Sequence, residues 1–201
     1  MSFFDSIPQP PPPKPVRRPR PGWMQPDEVI PAWIAGELLV IRTGQVAVTI
    51  GGICVYPNGF EFAVHVRMRS DDDDEPGWHD PFDRHRRRGG QPGDVLRLGL
   101  MYADGRRGAT TGSGWRPGKD AEPGRLVVHH GSSGGSDRRW DGWFWVHPLP
   151  SDGPVTFVAS WPAYGVTETR AELDGAAICA AAARAVTLWP EEPETDPGGD
   201  A

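Results

Sequence analysis

The six histidines of this chain are its best candidates for acid–base chemistry or metal binding, because imidazole titrates near neutral pH and ligates metals. His129 and His130 are adjacent, so on a strand they point to opposite faces and do not easily share one ion. His65 and His147 belong to different predicted strands and could meet only through the fold. We therefore predict no metal site and no cofactor. A small hydrolase or other enzyme that uses His65, His129 or His147 with a nearby acid stays open as an alternative.

Three short patterns resemble functional motifs, but none has the residues around it that its chemistry requires. Residues 131–135 (GSSGG) match the letters of a nucleophile elbow, yet they lead into a predicted strand where that motif needs a helix. Gly118-Lys119 resembles the end of a phosphate-binding loop, but the flanking positions do not fit. The acidic run at 71–74 lacks the ligand spacing of a calcium loop. We predict no catalytic residue, and for 131–135 a flexible hairpin loop.

Residues 60–69 (FEFAVHVRMR) form the clearest strand, because apolar and polar side chains alternate along the segment. The even-numbered residues are apolar and should face a core, whereas the odd-numbered residues should face water. Side chains on such a wet face are available to a partner. The candidate contact residues are His65, Arg67 and Arg69 on this strand, Arg106 and Arg107 in the loop after Tyr102, and Phe3 and Phe4 near the N-terminus.

Tryptophan is concentrated in the last third of the chain, where five of the nine tryptophans lie between residues 139 and 190. Alternation along the predicted strand 139–147 places Trp143, Trp145 and His147 on one face. Exposed tryptophans on a sheet can stack against flat ligands. The Trp143/Trp145 pair could therefore serve a carbohydrate-binding module. The opposing interpretation, which the apolar neighbours favour, is that both rings fill the core or pack against the helix.

Short strands separated by turn residues recur along the chain, and one helix follows them. The helix is predicted from about residue 174 to 188, with Asp174 as its N-cap and an apolar stripe that contains Ile178 and Ala181. The fold class is mainly β: a single antiparallel β-sandwich or jelly-roll-like barrel with one C-terminal α-helix packed on it. The other predicted strands are 37–42, 45–50, 53–56, 94–103, 125–129, 139–147 and 155–161.

Composition divides the chain into one domain and two tails. Residues 1–28 are rich in proline and arginine and predict a disordered N-terminal tail, with a stiff polyproline segment at 10–13. Residues 29–190 form the β-sandwich domain, in which the charged stretch 70–93 predicts a flexible loop. Residues 191–201 are acidic and predict a second disordered tail.

Charge and hydropathy exclude several classes of protein. The net charge of −6 offers no basic field for nucleic acid. Two cysteines are too few for a disulfide-stapled scaffold. The longest apolar run, 176–183, is too short to span a bilayer, and the N-terminus lacks the apolar region of a signal peptide. The expectation is a soluble, cytoplasmic protein whose oligomeric state stays open.

Several blocks of the chain resemble a family of uncharacterised actinobacterial proteins. The blocks are YPNGFEF at 56–62, YADGR at 102–106, WVHPLP at 145–150 and the long segment 153–190. The resemblance covers about residues 30–190 and contains no catalytic signature. It implies a soluble, mostly β, single-domain protein from a bacterium with a GC-rich genome, and it carries over no activity, cofactor or functional residue.

The sequence thus predicts a non-enzymatic intracellular binding or interaction module with a protein partner. The sheet face or the loops would contact that partner, and the N-terminal tail with Phe3 and Phe4 would act as a tether or docking peptide. The histidine enzyme and the carbohydrate-binding module remain the two alternatives.

Overall fold

The computed structural model describes residues 21–69, 80–82, 95–110 and 124–189. Within these ranges it contains twelve strands and one α-helix. The strands are β1 (Val29–Ile30), β2 (Ala32–Ile34), β3 (Leu38–Arg42), β4 (Val46–Tyr56), β5 (Gly59–Met68), β6 (Arg97–Tyr102), β7 (Arg107–Ala109), β8 (Val127–Ser136), β9 (Arg139–His147), β10 (Pro154–Trp161), β11 (Val166–Asp174) and β12 (Val186–Thr187), and the helix is α1 (Gly175–Ala182).

The strands form three antiparallel sheets. The large sheet has the order β2-β4-β5-β9-β8, and β3 pairs with the same strand β4 as β2 does. The small sheet has the order β11-β10-β6-β7. The strands β1 and β12 pair only with each other and form a two-stranded ribbon. This arrangement confirms a mainly β fold, a sandwich with a single helix, and the described strands do not close into a barrel.

The core lies between the large and the small sheet, where alternation on each strand sends its apolar side chains. Phe62 of β5 shows the contact best, because it stacks on Phe144 of β9 at 5.6 Å between ring centroids and meets Phe157 of β10 edge-on at 5.1 Å. All three rings are fully buried. The apolar face that the alternation of 60–69 predicts is therefore confirmed as core.

Helix α1 begins as predicted but ends early. The Asp174 carboxylate accepts a hydrogen bond from the Ala176 amide at 3.0 Å, and Ile178 and Ala181 are buried against the core. The predicted extension to residue 188 is wrong, because Val186–Thr187 instead pairs with Val29–Ile30. Both residues of β12 are β-branched and suit an extended backbone, and pairing with β1 satisfies their peptide groups.

Two other segments are more extended than the sequence predicts. The glycine- and serine-rich run 131–135, predicted as a flexible hairpin loop, belongs to β8, because β9 supplies a hydrogen-bonding partner for its backbone. No helix follows Ser133, so the nucleophile elbow is absent. The predicted strands 45–50 and 53–56 are one strand, β4, with a bulge at Gly52 and Ile53, between the paired residues Gly51 and Cys54. Residues 166–174, for which the sequence predicts no strand, form β11.

Some sequence predictions lie outside the described residues. They concern residues 1–20 with Phe3 and Phe4, most of the charged stretch 70–93, and the acidic segment 191–201. Residues 21–28, which the sequence places in the tail, contact the large sheet through Trp23 and Gln25. Among the helices that the structure describes, none is long and apolar enough to cross a membrane.

His130 is a half-buried imidazole on the core side of β8, and it makes stability depend on pH. Its ring stacks on Phe144 with centroids 4.8 Å apart. Burial lowers its pKa, while the Asp80 carboxylate opposes this effect in part. The unfolded chain has the ordinary histidine pKa of about 6.5, so below that pH the unfolded state binds more protons. We expect this contribution to stability to be complete above about pH 6.5 and to be lost as the pH falls below it.

The measurement is the urea midpoint between about pH 7.5 and 5 for the wild type and for His130→Phe. The urea midpoint of the variant should fall less steeply than that of the wild type as the pH is lowered. A residual slope is expected, since burial also lowers the pKa of His147. Identical slopes in both proteins would contradict the role of His130.

Candidate functional site

The outer face of the large sheet, which points away from the core, is divided into a covered half and an open half. The segment 21–29 lies over the covered half. The Trp145 indole donates to the Trp23 carbonyl at 2.9 Å, and Gln25 donates to the Tyr56 hydroxyl at 2.7 Å. Val29 packs against the cluster that these two rings form with Cys54. These contacts satisfy the polar ends of two aromatic side chains whose bodies are buried. The accessible part of the outer face is the open half, which extends from Trp143 toward Asp141.

The open half carries a polar network centred on Asp141 of β9. Cross-strand register places His65 opposite Asp141 and Arg67 opposite Arg139. The His65 Nδ1 lies 2.6 Å from Asp141 Oδ1, and the Arg67 Nη1 lies 2.8 Å from the same oxygen. Arg139 Nε binds the other carboxylate oxygen. Directly opposite residues on adjacent strands are close enough for such pairs, so the β5–β9 register creates the network.

The three donors keep the Asp141 carboxylate ionised. Its partial burial would raise its pKa, but the hydrogen bonds from His65, Arg139 and Arg67 outweigh burial and lower the pKa to about 2. Two guanidinium groups and one carboxylate leave one net positive charge when the imidazole is neutral. Asp141 is the most covered member of its two ion pairs with arginine, with 23% of its side chain exposed against 45% for Arg67 and 64% for Arg139. The acid therefore lies beneath, and the cationic groups face solvent.

Trp143 borders this network on the same face of β9, two residues from Asp141. Its ring lies over the β4 bulge, where a Cβ on Gly52 would be 3.2 Å from the end of the indole. Gly52 also has a φ of +56°, a conformation that favours glycine. The missing side chain at Gly52 thus leaves room for the end of the half-buried Trp143 indole. We name the set His65, Arg67, Arg139, Asp141 and Trp143 the cationic face.

The structure brings together two of the seven predicted contact residues, His65 and Arg67. Arg69 follows β5, where its amide donates to the Gln45 carbonyl at 2.8 Å. Arg106 and Arg107 lie on the other sheet, at the β6–β7 turn, because the segment after Tyr102 folds back as a hairpin. Arg106 and Arg107 are therefore separate from the surface that contains His65 and Arg67. Phe3 and Phe4 lie outside the described residues.

The Arg106 side chain has local partners that account for its position. Its guanidinium lies 2.7 Å from the Asp104 carboxylate and 5.1 Å from the centre of the Tyr102 ring. These contacts hold the turn between β6 and β7. They give Arg106 a structural role that does not need an external partner.

Asp141 and Arg139 are functional candidates that sequence reasoning misses. A signal for them is present, since the strand RWDGWFWVH places an acid inside an aromatic run, two residues from Trp143 on the same face. Its partner His65 is 76 residues earlier in the chain, however, and only the pairing of β5 with β9 makes them neighbours.

The alternative that uses two tryptophans as a platform is not supported by the burial of Trp145. Alternation correctly places Trp143 and Trp145 on one face, but Trp145 retains only 5% of its surface. Its ring is covered by the segment 21–29 and meets Tyr56 edge-on at 5.5 Å. It is buried on the outer face, not in the main core. Only Trp143 remains accessible to a ligand.

The three candidate histidines do not converge. His147 is six residues from Asp141 along β9, about 20 Å at the usual strand rise, and its Nδ1 contacts the Asn58 carbonyl at 2.7 Å. His129 pairs with Trp145, four residues from Asp141. Of the three, only His65 has a carboxylate within hydrogen-bonding distance among the described residues. No group of three or more potential metal ligands occurs in that part of the chain either.

The two cysteines are free thiols. Burial, with the nearby Glu61 carboxylate, raises the pKa of Cys54 to about 12. Burial and neighbouring acids also raise the pKa of the half-buried Cys179, whose thiol donates to the Pro150 carbonyl at 3.2 Å. A thiol with a raised pKa is a poor nucleophile at neutral pH. Neither cysteine is therefore a candidate for catalysis.

Comparison of the chain with protein-family models, with curated proteins and with solved structures gave no match. We therefore infer function from the geometry and the charge of the cationic face.

Proposed function

We propose that this chain is a non-enzymatic binding module and that its cationic face contacts an acidic segment of a partner protein. The observation that carries the proposal is the Asp141 network, in which one covered carboxylate holds Arg67, Arg139 and His65 on an exposed sheet face. Charged residues on a solvated strand need no such organisation to keep a sheet soluble. A fixed set of donors beside an aromatic ring is typical of recognition surfaces.

The chemistry of the exposed groups selects the class of partner. An arginine guanidinium is planar and can donate two parallel hydrogen bonds to one carboxylate. The contacts with Asp141 use only some of the donors of Arg67 and Arg139. The network has a net positive charge and therefore attracts an acidic segment, although the chain as a whole has a net charge of −6. Trp143 adds a flat apolar contact for an apolar or aromatic side chain within that segment.

The test is capture of partners from native lysate with three baits: the wild type, the pair Arg67→Gln and Arg139→Gln, and the matched pair Arg107→Gln and Arg170→Gln. The control removes the same charge from the small sheet, where Arg170 pairs with Glu168 on the exposed side of β11. We expect a protein held by the wild type and by the control to fall about tenfold or more on the first pair, as loss of about 1.4 kcal/mol or more predicts.

Equal capture by all three baits, measured by quantitative mass spectrometry, would overturn the proposal. Equal melting temperatures for the three baits show that folding is unchanged. The captured partner should also carry an acidic segment, and its binding should weaken as salt is raised.

A second candidate function follows from the 2.6 Å contact between His65 and Asp141. If Nδ1 carries the proton, the carboxylate orients the ring and Nε2 is a base, as in acid–base catalysis. Thr49 lies opposite His65 on β4 and would be the nearest hydroxyl by register. Hydrolysis of an activated ester by the wild type, reduced at least tenfold in both His65→Ala and Asp141→Asn, would support this function. A wild-type rate no higher than that of both variants would exclude it for such esters.

A further inference from the structure

Exposed apolar surface is concentrated at the β1–β12 ribbon. Among the described residues, five of the six large exposed apolar side chains lie in two short segments, 30–33 and 186–189, which the pairing of β1 with β12 joins. They are Ile30, Trp33, Val186, Leu188 and Trp189, with 43–60% of their surface exposed. The sixth, Leu39, lies elsewhere, on β3. Clustered apolar surface of this kind marks an interaction site more often than scattered single residues do.

The register shows that part of this surface is one face of the ribbon. Ile30 is directly opposite Val186, and the Leu188 amide donates to the Glu28 carbonyl at 2.8 Å. Alternation places Val186 and Leu188 on the same side as Ile30. Val29 points the other way, into the cluster with Tyr56 and Trp145. The ribbon is thus anchored by one face and presents the opposite, apolar face to solvent; we name Ile30, Val186 and Leu188 the ribbon face.

The sequence on either side of the domain supplies a complementary occupant. Residues 3–7 contain Phe3, Phe4 and Ile7, and residues 14–20 contain four basic side chains and no acid. The ribbon face is bordered by Glu28, and directly beyond Trp189 the sequence carries five acids and no base between 191 and 201. The apolar residues of 3–7 are therefore complementary to the apolar ribbon face, and the basic residues of 14–20 are complementary to the acidic residues next to it in the sequence.

The length of chain allows this contact within one molecule. The N-terminal segment joins the domain near Asn58, whose side chain donates to the carbonyls of Gly22 and Met24 at 2.8 Å each. Seventeen peptide steps separate Phe4 from Pro21, which span up to about 50 Å in polyproline II geometry. A domain of this size has a radius of gyration of about 15 Å, so residues 3–7 can reach any of its surfaces.

We propose that residues 1–20 dock onto the ribbon face of their own chain, with Phe3 and Phe4 against Ile30, Val186 and Leu188. The basic residues 14–20 then bring positive charge toward Glu28, which borders the ribbon face. This contact is independent of the cationic face, because the ribbon presents a different set of side chains. Its chemistry is apolar burial at one end and charge pairing at the other.

The test uses the full chain with a benzophenone amino acid in place of Phe4, irradiated at low micromolar concentration and mapped by mass spectrometry. Cross-links within one molecule should concentrate at 30–33 and 186–189. Val186→Asp should reduce their yield about fivefold or more, as the loss of about 1 kcal/mol predicts. Leu39→Asp is the matched control, because Leu39 and Val186 are exposed to a similar degree, 52% and 55%.

Cross-links spread over the whole surface, or found only between two molecules, would overturn the proposal. An unchanged yield in Val186→Asp would overturn it as well. The pair Arg67→Gln and Arg139→Gln should leave the cross-links unchanged, so failure of the cationic face and failure of the ribbon contact can be distinguished.

Discussion

Replacing Phe62 with alanine is expected to lower the free energy of unfolding by about 3–5 kcal/mol. The ring is fully buried, stacks on Phe144 within the large sheet and meets Phe157 of the small sheet edge-on. Its removal takes away contacts on both sides of the core and leaves a cavity that neither sheet can fill without moving. Because a domain of this size has about 5–15 kcal/mol of stability in total, this loss removes at least a fifth of it.

Equilibrium unfolding in urea measures this effect, with Leu39→Ala as the control for an exposed apolar residue. Leu39 retains 52% of its surface, so the control should change stability by no more than about 0.5 kcal/mol. A loss below about 1 kcal/mol in Phe62→Ala would mean that the two sheets do not meet at this ring. Phe62 and His65 both lie on β5. Because unfolding would also break the pairing of β5 with β9, the variant should bind less partner at the cationic face.

Replacing Gly59 with alanine is expected to cost about 1–3 kcal/mol and to displace the segment that covers Trp145. A Cβ at this position would be 2.3 Å from the Val146 carbonyl oxygen and 2.6 Å from the Trp145 ring. The carbonyl belongs to the backbone of β9, so it cannot rotate away as a flexible side chain could. Movement of the indole would also strain its hydrogen bond to the Trp23 carbonyl.

Urea unfolding and the near-ultraviolet circular dichroism of the tryptophans measure the two effects of Gly59→Ala. Gly134→Ala is the matched control, because that glycine of β8 is exposed and a Cβ at its position would meet no other atom within 4 Å. The control should leave both signals unchanged. Equal stability of the two variants would show that Val146 and Trp145 can move away from position 59 at little cost.

The covered and open halves of the outer face explain why the cationic face is restricted to one region. The large sheet would otherwise expose Tyr56, Trp143 and Trp145 together, an apolar surface that favours aggregation. The segment 21–29 covers two of these rings and satisfies their polar atoms. The charged network around Asp141 lies beyond it, where the face is polar enough to stay in water and organised enough to bind.

Side-chain direction could be predicted from the sequence, because on a strand it follows from the local backbone. Alternation along 60–69 correctly separated Phe62 from His65, and alternation along β9 correctly separated Phe144 from Trp143. The Asp174 cap was readable for the same reason, since a cap depends on residues one turn apart.

The pairing of distant strands could not be predicted from the sequence, and the residues of the site depend on that pairing. Asp141 meets His65 because β9 pairs with β5 in one register, and a shift by one residue would have turned Asp141 to the core. Trp145 is covered because residues far earlier in the chain return to it. Helix α1 ends before Val186 because β1 offers a partner for pairing. In each case a contact between distant segments outweighs the local preference, and no pattern within one segment contains that information.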